Sequence, residues 1–198
     1  MDIKRFTWTE MRWEEPEKSG RRILLLGDSI TNGYWNIVRD LAPPDVYVDI
    51  YVTSKYVCHP GYRRELEYYL SNGFKYDAVH FNNGLHGGQV DIAEYKEHYE
   101  NVVKYILTGT GAEVILALST PTWKNVPTME YRESNKIILE RNEAVRRIAE
   151  KYELAVNDLY TTADGLSKLC TDGVHFSPEG YQILGEQVAS LCYKETKK

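Results

Sequence analysis

The 198-residue sequence has no apolar stretch near the roughly 18–20 residues needed to span a bilayer; runs such as Ile23 to Leu26 have a strand's length. Its first twenty residues are charged and aromatic and lack the apolar core of a secretory signal. Cysteine is scarce. Cys58, Cys170 and Cys192 are far apart with no C-x-x-C pair, so free, mostly buried thiols in a reducing compartment are expected. There is no N-x-S/T sequon. Basic residues (24) are outnumbered by acidic ones (29), giving a net charge of −5, and no Lys/Arg block offers the positive surface that nucleic acid requires. With 14 Gly and 7 Pro the chain is too poor in both for a fibrous or largely disordered protein. No Gly-rich phosphate loop with its Lys follows the first apolar run, and Cys58-His59 has no second pair to complete a metal site. The expectation is a cytoplasmic chain (or a secreted one whose leader has been removed) with no metal, cofactor, nucleic-acid partner or membrane span. The oligomeric state is open.

What is present is an alternation of short apolar runs with helical periods. Arg22 to Leu26, Val46 to Thr53, Tyr76 to Phe81, Glu113 to Ser119 and Leu154 to Leu159 read as five strands. Helical spacing of apolar residues follows at Tyr34 to Leu41, Ile92 to Leu107, Ala144 to Tyr152 and Tyr181 to Cys192. Such alternation predicts right-handed crossovers, hence an α/β three-layer sandwich around a five-stranded parallel sheet of flavodoxin-like type. Residues 21–198 form its single domain. Residues 1–20 fall outside the pattern and read as an N-terminal arm, with Trp8 and Trp13 to anchor it or to cover part of a site. A chain of this size buries roughly 70% of its unfolded surface, enough for a core without disulfides.

Ligands in such sheets bind beyond the carboxyl ends of the strands, and three polar segments fall there. Gly27-Asp28-Ser29-Ile30-Thr31 places a serine hydroxyl at a strand-to-helix turn, beside the free N–H groups of a helix start. The plainer reading is that Asp28 or Ser29 caps the helix. Asp172-Gly173-Val174-His175 precedes Ser177-Pro178, an N-cap and N1 signal. The three-residue spacing lets Asp172 reach the Nδ1–H of His175, leaving Nε2 free as a base. Asn82 and Asn83 close the third strand. Asn83-Gly84 suits a tight turn, whereas Asn82 is placed to aim its amide at a developing negative charge. Trp35 and Trp123 follow strand ends and suit either a core or a sugar-stacking rim.

Taken in order, these segments resemble the blocks of the SGNH, or GDSL-like, esterases and lipases. GDSIT at 27–31 matches the first block with Ser29 as nucleophile; DGVHFSPEGY carries the D-x-x-H of the last block with Asp172 and His175; His80 to Asn83 is similar to the G-x-N-D block. The resemblance implies an SGNH hydrolase fold over nearly the whole chain, a Ser29-His175-Asp172 triad, no cofactor, and an oxyanion hole from the Ser29 N–H and Asn82. By spacing, its third donor falls near Lys55 or Tyr56, with the Tyr56 N–H as the candidate, in a second block that lacks the usual Gly. His80 and Asn83 also depart from the family's Gly and Asp.

The implied activity is carboxylic ester hydrolysis of a small-molecule ester. Aromatic richness and the lack of a long apolar lid favour a short acyl group, such as acetyl, on a carbohydrate-like alcohol, with Asp28, Trp35 and Trp123 as candidate substrate contacts. A lysophospholipase or thioesterase-type lipid esterase, and a non-catalytic carbohydrate-binding module on the same fold, are the alternatives.

Overall fold

The structure, a computed structural model, describes residues 7–124 and 130–194. Its first parallel strand is β2 (Arg21–Gly27). Ile23 and Leu25 point into a cluster shared with α1 (Ser29–Asp40) and α6 (Pro178–Cys192). Leu24 and Leu26 point to the opposite side, among residues of α2 (Tyr62–Leu70), α3 (Ile92–Thr110) and α4 (Ser134–Lys151). A strand buried on both faces has no polar side to alternate with, which is why RILLL reads as a continuous apolar run.

The other parallel strands are β3 (Val46–Thr53), β4 (Ala78–Phe81), β5 (Glu113–Ala117) and β6 (Ala155–Asn157). All five expected strands are present, each within two residues of the expected bounds. The sheet has one more, β1 (Thr9–Arg12), which pairs antiparallel with β3 and gives the order β1-β3-β2-β4-β5-β6. Part of the expected arm is therefore an edge strand. Its four residues, TEMR, are half-buried and carry no apolar run, so the pattern that marks the inner strands is absent. Two helices also have no clear signal. In α2, Tyr62, Leu66 and Tyr69 are buried amid charged residues, and α5 (Leu159–Gly165) starts at a leucine that closes an apolar run.

The arm is tied to the amino edge of the sheet by a buried ion pair. The Arg22 guanidinium donates to both carboxylate oxygens of Asp49, at 2.8 and 3.0 Å, and to the carbonyls of Glu14 and Glu15. Asp49 also accepts from the Glu14 N–H and the Tyr76 hydroxyl. Beyond it, Trp13 stacks on Tyr69 with ring centroids 4.8 Å apart. Among the described residues no helix is long and apolar enough to cross a membrane.

Removing one partner of a buried pair leaves the other charge uncompensated, at a cost of about 3–5 kcal/mol. Asp49→Ala is expected to lower stability to urea by that amount, and Asp40→Ala, which opens the exposed Arg39–Asp40 pair, by less than about 1 kcal/mol. Equal small losses in the two unfolding curves would show that the buried pair does not secure the arm.

Candidate active site

The turn after β2 is built around Asp28. Its Oδ1 accepts from the Ile30 N–H at 3.0 Å, which starts α1 at Ser29 and puts that residue's hydroxyl at the carboxyl edge of the sheet. Ser29 is the first helical residue, and its N–H donates to no acceptor among the described residues. Asp28 is 1% exposed, and Oδ2 has no partner. Burial pushes its carboxyl up, against the pull of His86, the Ile30 N–H and His175. As a substrate contact Asp28 is thus corrected: it is an enclosed helix cap.

The loop before α6 supplies the second part. His175 Nε2 lies 2.9 Å from Ser29 Oγ, and His175 Nδ1 lies 2.8 Å from Asp172 Oδ2. Asp172 Oδ1 accepts from the backbone N–H groups of Val174 and His175 at 2.9 and 2.8 Å. Burial raises the Asp172 carboxyl, but the His175 N–H, its imidazole and the Val174 N–H outweigh that and hold it at about 2. An ionised Asp172 fixes the proton on Nδ1 and turns the bare Nε2 to the serine. Ser177 caps α6 through the Gly180 N–H, with Pro178 at the first helical position, as the sequence indicates.

Trp123 and Arg132 shape this loop from below. The Trp123 N–H donates to the Gly173 carbonyl at 2.8 Å, and Arg132 bridges the carbonyls of Trp123 and Asp172. Gly173 has φ +87°, and a Cβ there would lie 2.3 Å from the Trp123 carbonyl oxygen. The loop therefore needs glycine at this point. Trp123 is 1% exposed and packs edge-on against Phe176, so it supports the loop and forms no rim. Trp35 is corrected too. Its indole N–H donates to the Val48 carbonyl near the amino end of β3, and the Arg12 and Arg39 guanidinium groups lie over its ring.

The third segment departs from expectation in its wiring. Both Nδ2 hydrogens of Asn82 are engaged, with the Ala117 carbonyl at 2.8 Å and the Ser119 hydroxyl at 3.1 Å. Asn83 does more than turn the chain. Its Oδ1 accepts from the Val57 N–H and its Nδ2 donates to the Lys55 carbonyl, both at 3.0 Å. That clamp brackets Tyr56, whose N–H has no acceptor among the described residues. The only hint in the sequence was the second Asn of an Asn-Asn pair at a strand end. His80 is fully buried, held down to about 3 by that burial, with Nε2 3.0 Å from the Asn157 amide.

Cys58, Glu94 and His98 place three possible metal donors within 4.8 Å of one another, on α3 and the segment before α2. Burial and the Glu94 charge push the Cys58 thiol up to about 11. No chemistry at Ser29 involves this cluster. The three cysteines are free, and Cys170 and Cys192 are buried, as expected.

A model of the GDSL-like lipase/acylhydrolase family matches residues 25–183. Comparison with curated proteins gives no match. Among solved structures, the chain is similar to Axe2, an acetylxylan esterase from Geobacillus stearothermophilus, with a TM-score of 0.70 at 18% identity over 89% of this chain and 96% of that one. It is similar to the acetyl xylan esterase AlAXEase, with a TM-score of 0.71 at 18% identity over 86% and 98%. For a lipase/acylhydrolase from Enterococcus faecalis the TM-score is 0.67 at 22% identity, over 86% and 94%. At these identities the likeness shows the fold, a mainly parallel sheet between helices.

Asn83→Ala would strand a buried donor and a buried acceptor, each costing about 1–3 kcal/mol when unpaired. The variant is expected to melt clearly below wild type, and Asn83→Asp, which keeps the acceptor for Val57, between the two. Unchanged melting in both would remove the clamp.

Proposed function

The chain belongs to the GDSL-like lipase/acylhydrolase family, and on that premise we propose that it is a serine ester hydrolase with Ser29 as nucleophile, His175 as base and Asp172 as orienting carboxylate. The observation that carries the reading is the unbroken hydrogen-bonded line from Ser29 Oγ through the imidazole to Asp172, at 2.9 and 2.8 Å. Ser29 Oγ bonds to the acyl carbon as its proton passes to His175 Nε2. The tetrahedral oxyanion is met by the Ser29 N–H at the positive end of α1 and by the clamped Tyr56 N–H. Asn82 joins them by exchanging Ser119 for the oxyanion. Collapse breaks the ester C–O bond, and the proton on Nε2 goes to the leaving alcohol. A water then repeats the sequence on the acyl-enzyme, and Ser29 regains its proton as the acid leaves.

A short acyl group is the reading we favour. The acetylxylan esterases of the same fold make an acetylated carbohydrate the substrate class of choice.

Ser29→Ala is expected to lower kcat on p-nitrophenyl acetate by roughly 10⁴–10⁶, and Asn82→Ala by roughly 10²–10³ with little change in KM. p-Nitrophenyl octanoate should be a far poorer substrate than the acetate. Retained activity in Ser29→Ala overturns the assignment; a preference for octanoate overturns the short acyl group. The pH dependence follows from Asp172. With its carboxyl held at about 2, it stays charged on acidification from neutral pH. The fall in kcat/KM should then follow one proton, because Asp172 takes up none of its own over that range. A slope of two protons would put a second titrating group in the reaction.

A further inference from the structure

A cleft of about 550 Å³ opens at the carboxyl edge of the sheet, and the N-terminal arm forms one wall of it. Its lining includes Trp8, Ser54, Tyr56, His59, His86 and Gln89. Ser54 follows β3, the strand hydrogen-bonded to β2, whose end carries Ser29; adjacent strands lie about 4.8 Å apart. His86, on the other side, follows the end of β4, the strand paired with the opposite edge of β2. Tyr56, the proposed oxyanion donor, stands at the boundary. The cleft therefore adjoins the nucleophile.

Its chemistry is specific. The Trp8 backbone is pinned, with its N–H on Ser54 Oγ at 2.9 Å and its carbonyl accepting from the Ser54 N–H and the Thr53 hydroxyl. Trp8 is nevertheless 38% exposed. A half-open aromatic side chain on a pinned backbone costs less entropy to cover than one on a mobile segment. Around it are polar groups with capacity to spare. His59 Nδ1 accepts from the Gly61 N–H, so the neutral ring carries its proton on Nε2. The Tyr56 hydroxyl accepts from the Gln89 amide at 3.1 Å, which leaves its own proton and the Gln89 oxygen to donate and accept. Gly87, with φ +70°, lies so close under the Tyr56 ring that a Cβ would come within 2.3 Å, and this holds the ring in place.

An apolar plate edged by two donors and an acceptor matches a pyranose, whose C–H face stacks while its hydroxyls ring the edge. It matches an alkyl chain or a phosphate poorly. We infer that this cleft holds the alcohol half of the ester, that this alcohol is a pyranose unit, and that Trp8, outside the segment matched by the family, is its stacking face. The inference rests on the esterase reading above and adds a specificity-determining residue that the reading lacks.

The test compares kcat/KM for a mono-O-acetylated methyl glucopyranoside with kcat/KM for p-nitrophenyl acetate. Trp8→Ala should lower the sugar-to-phenyl ratio about tenfold, the loss typical of a central aromatic contact. Trp8→Phe should recover most of it, and Tyr68→Ala, an exposed aromatic on α2, should leave the ratio unchanged. A wild-type enzyme that cleaves only the phenyl ester, or a ratio unmoved by Trp8→Ala, overturns the subsite and leaves the esterase intact. If neither ester is cleaved, the esterase reading fails by itself. The subsite is then judged by titrating the Ser29→Ala chain with the acetylated glucoside. Binding weakened about tenfold by adding Trp8→Ala supports it, and absence of binding overturns it.

Discussion

Helices α1 and α6 meet where Gly33 lies against the Tyr181 ring; a Cβ at position 33 would come within 2.2 Å of that ring. One turn further along the contact, a Cβ at Gly185 would come within 2.7 Å of Ile37. Two glycines on facing helices let the backbones approach more closely than larger side chains would allow. The distance matters because Ser29 begins one helix and His175 sits just ahead of the other, 146 residues apart in sequence and 2.9 Å apart in space. A hydrogen bond weakens steeply over a few tenths of an ångström. The sheet sets the edge at which the two helices start, and their contact sets the gap between Ser29 and His175.

Beneath the half-exposed His175 and Asp172 the structure places buried polar groups. Asp28 is enclosed with one oxygen unpaired. Arg141, itself buried, donates to the carbonyls of Gly84, His86 and Gly87 while its guanidinium lies 4.4 Å from the Tyr95 ring centroid. Asn83 holds the Tyr56 segment from the other side. The loops that line the site are thus tied by side chains reaching from α4 and from the segment after β4, because irregular backbone has no ladder of its own to satisfy it. Preorganisation of this kind lets N–H groups meet a developing charge without first rearranging.

The central strands were legible because burial on both faces leaves runs such as RILLL with no competing pattern. Ser29, Asp172 and His175 were legible because a strand end, a helix cap and a three-residue spacing each leave a local mark. The rest depended on contacts between distant segments. β1 is recognisable only once β3 is there to pair with it. Trp35 and Trp123 follow strand ends just as rim residues would, yet one hydrogen-bonds down to Val48 and the other is roofed by the loop it supports. The indole facing a cleft is Trp8, in a segment without periodicity. For Asn82 the position was legible but not the partners, since Ala117 and Ser119 come from the end of β5 and the segment after it.

A serine esterase on this site requires that the Ser29 hydroxyl be activated by its neighbours. A fluorophosphonate probe reacts with such a serine and spares ordinary hydroxyls, and it needs no knowledge of the natural ester. Labelling of the native chain, followed by peptide mass mapping, should give one adduct, on Ser29, that is lost on unfolding in urea. A native chain that takes no label, or takes it on a different serine, would contradict the account.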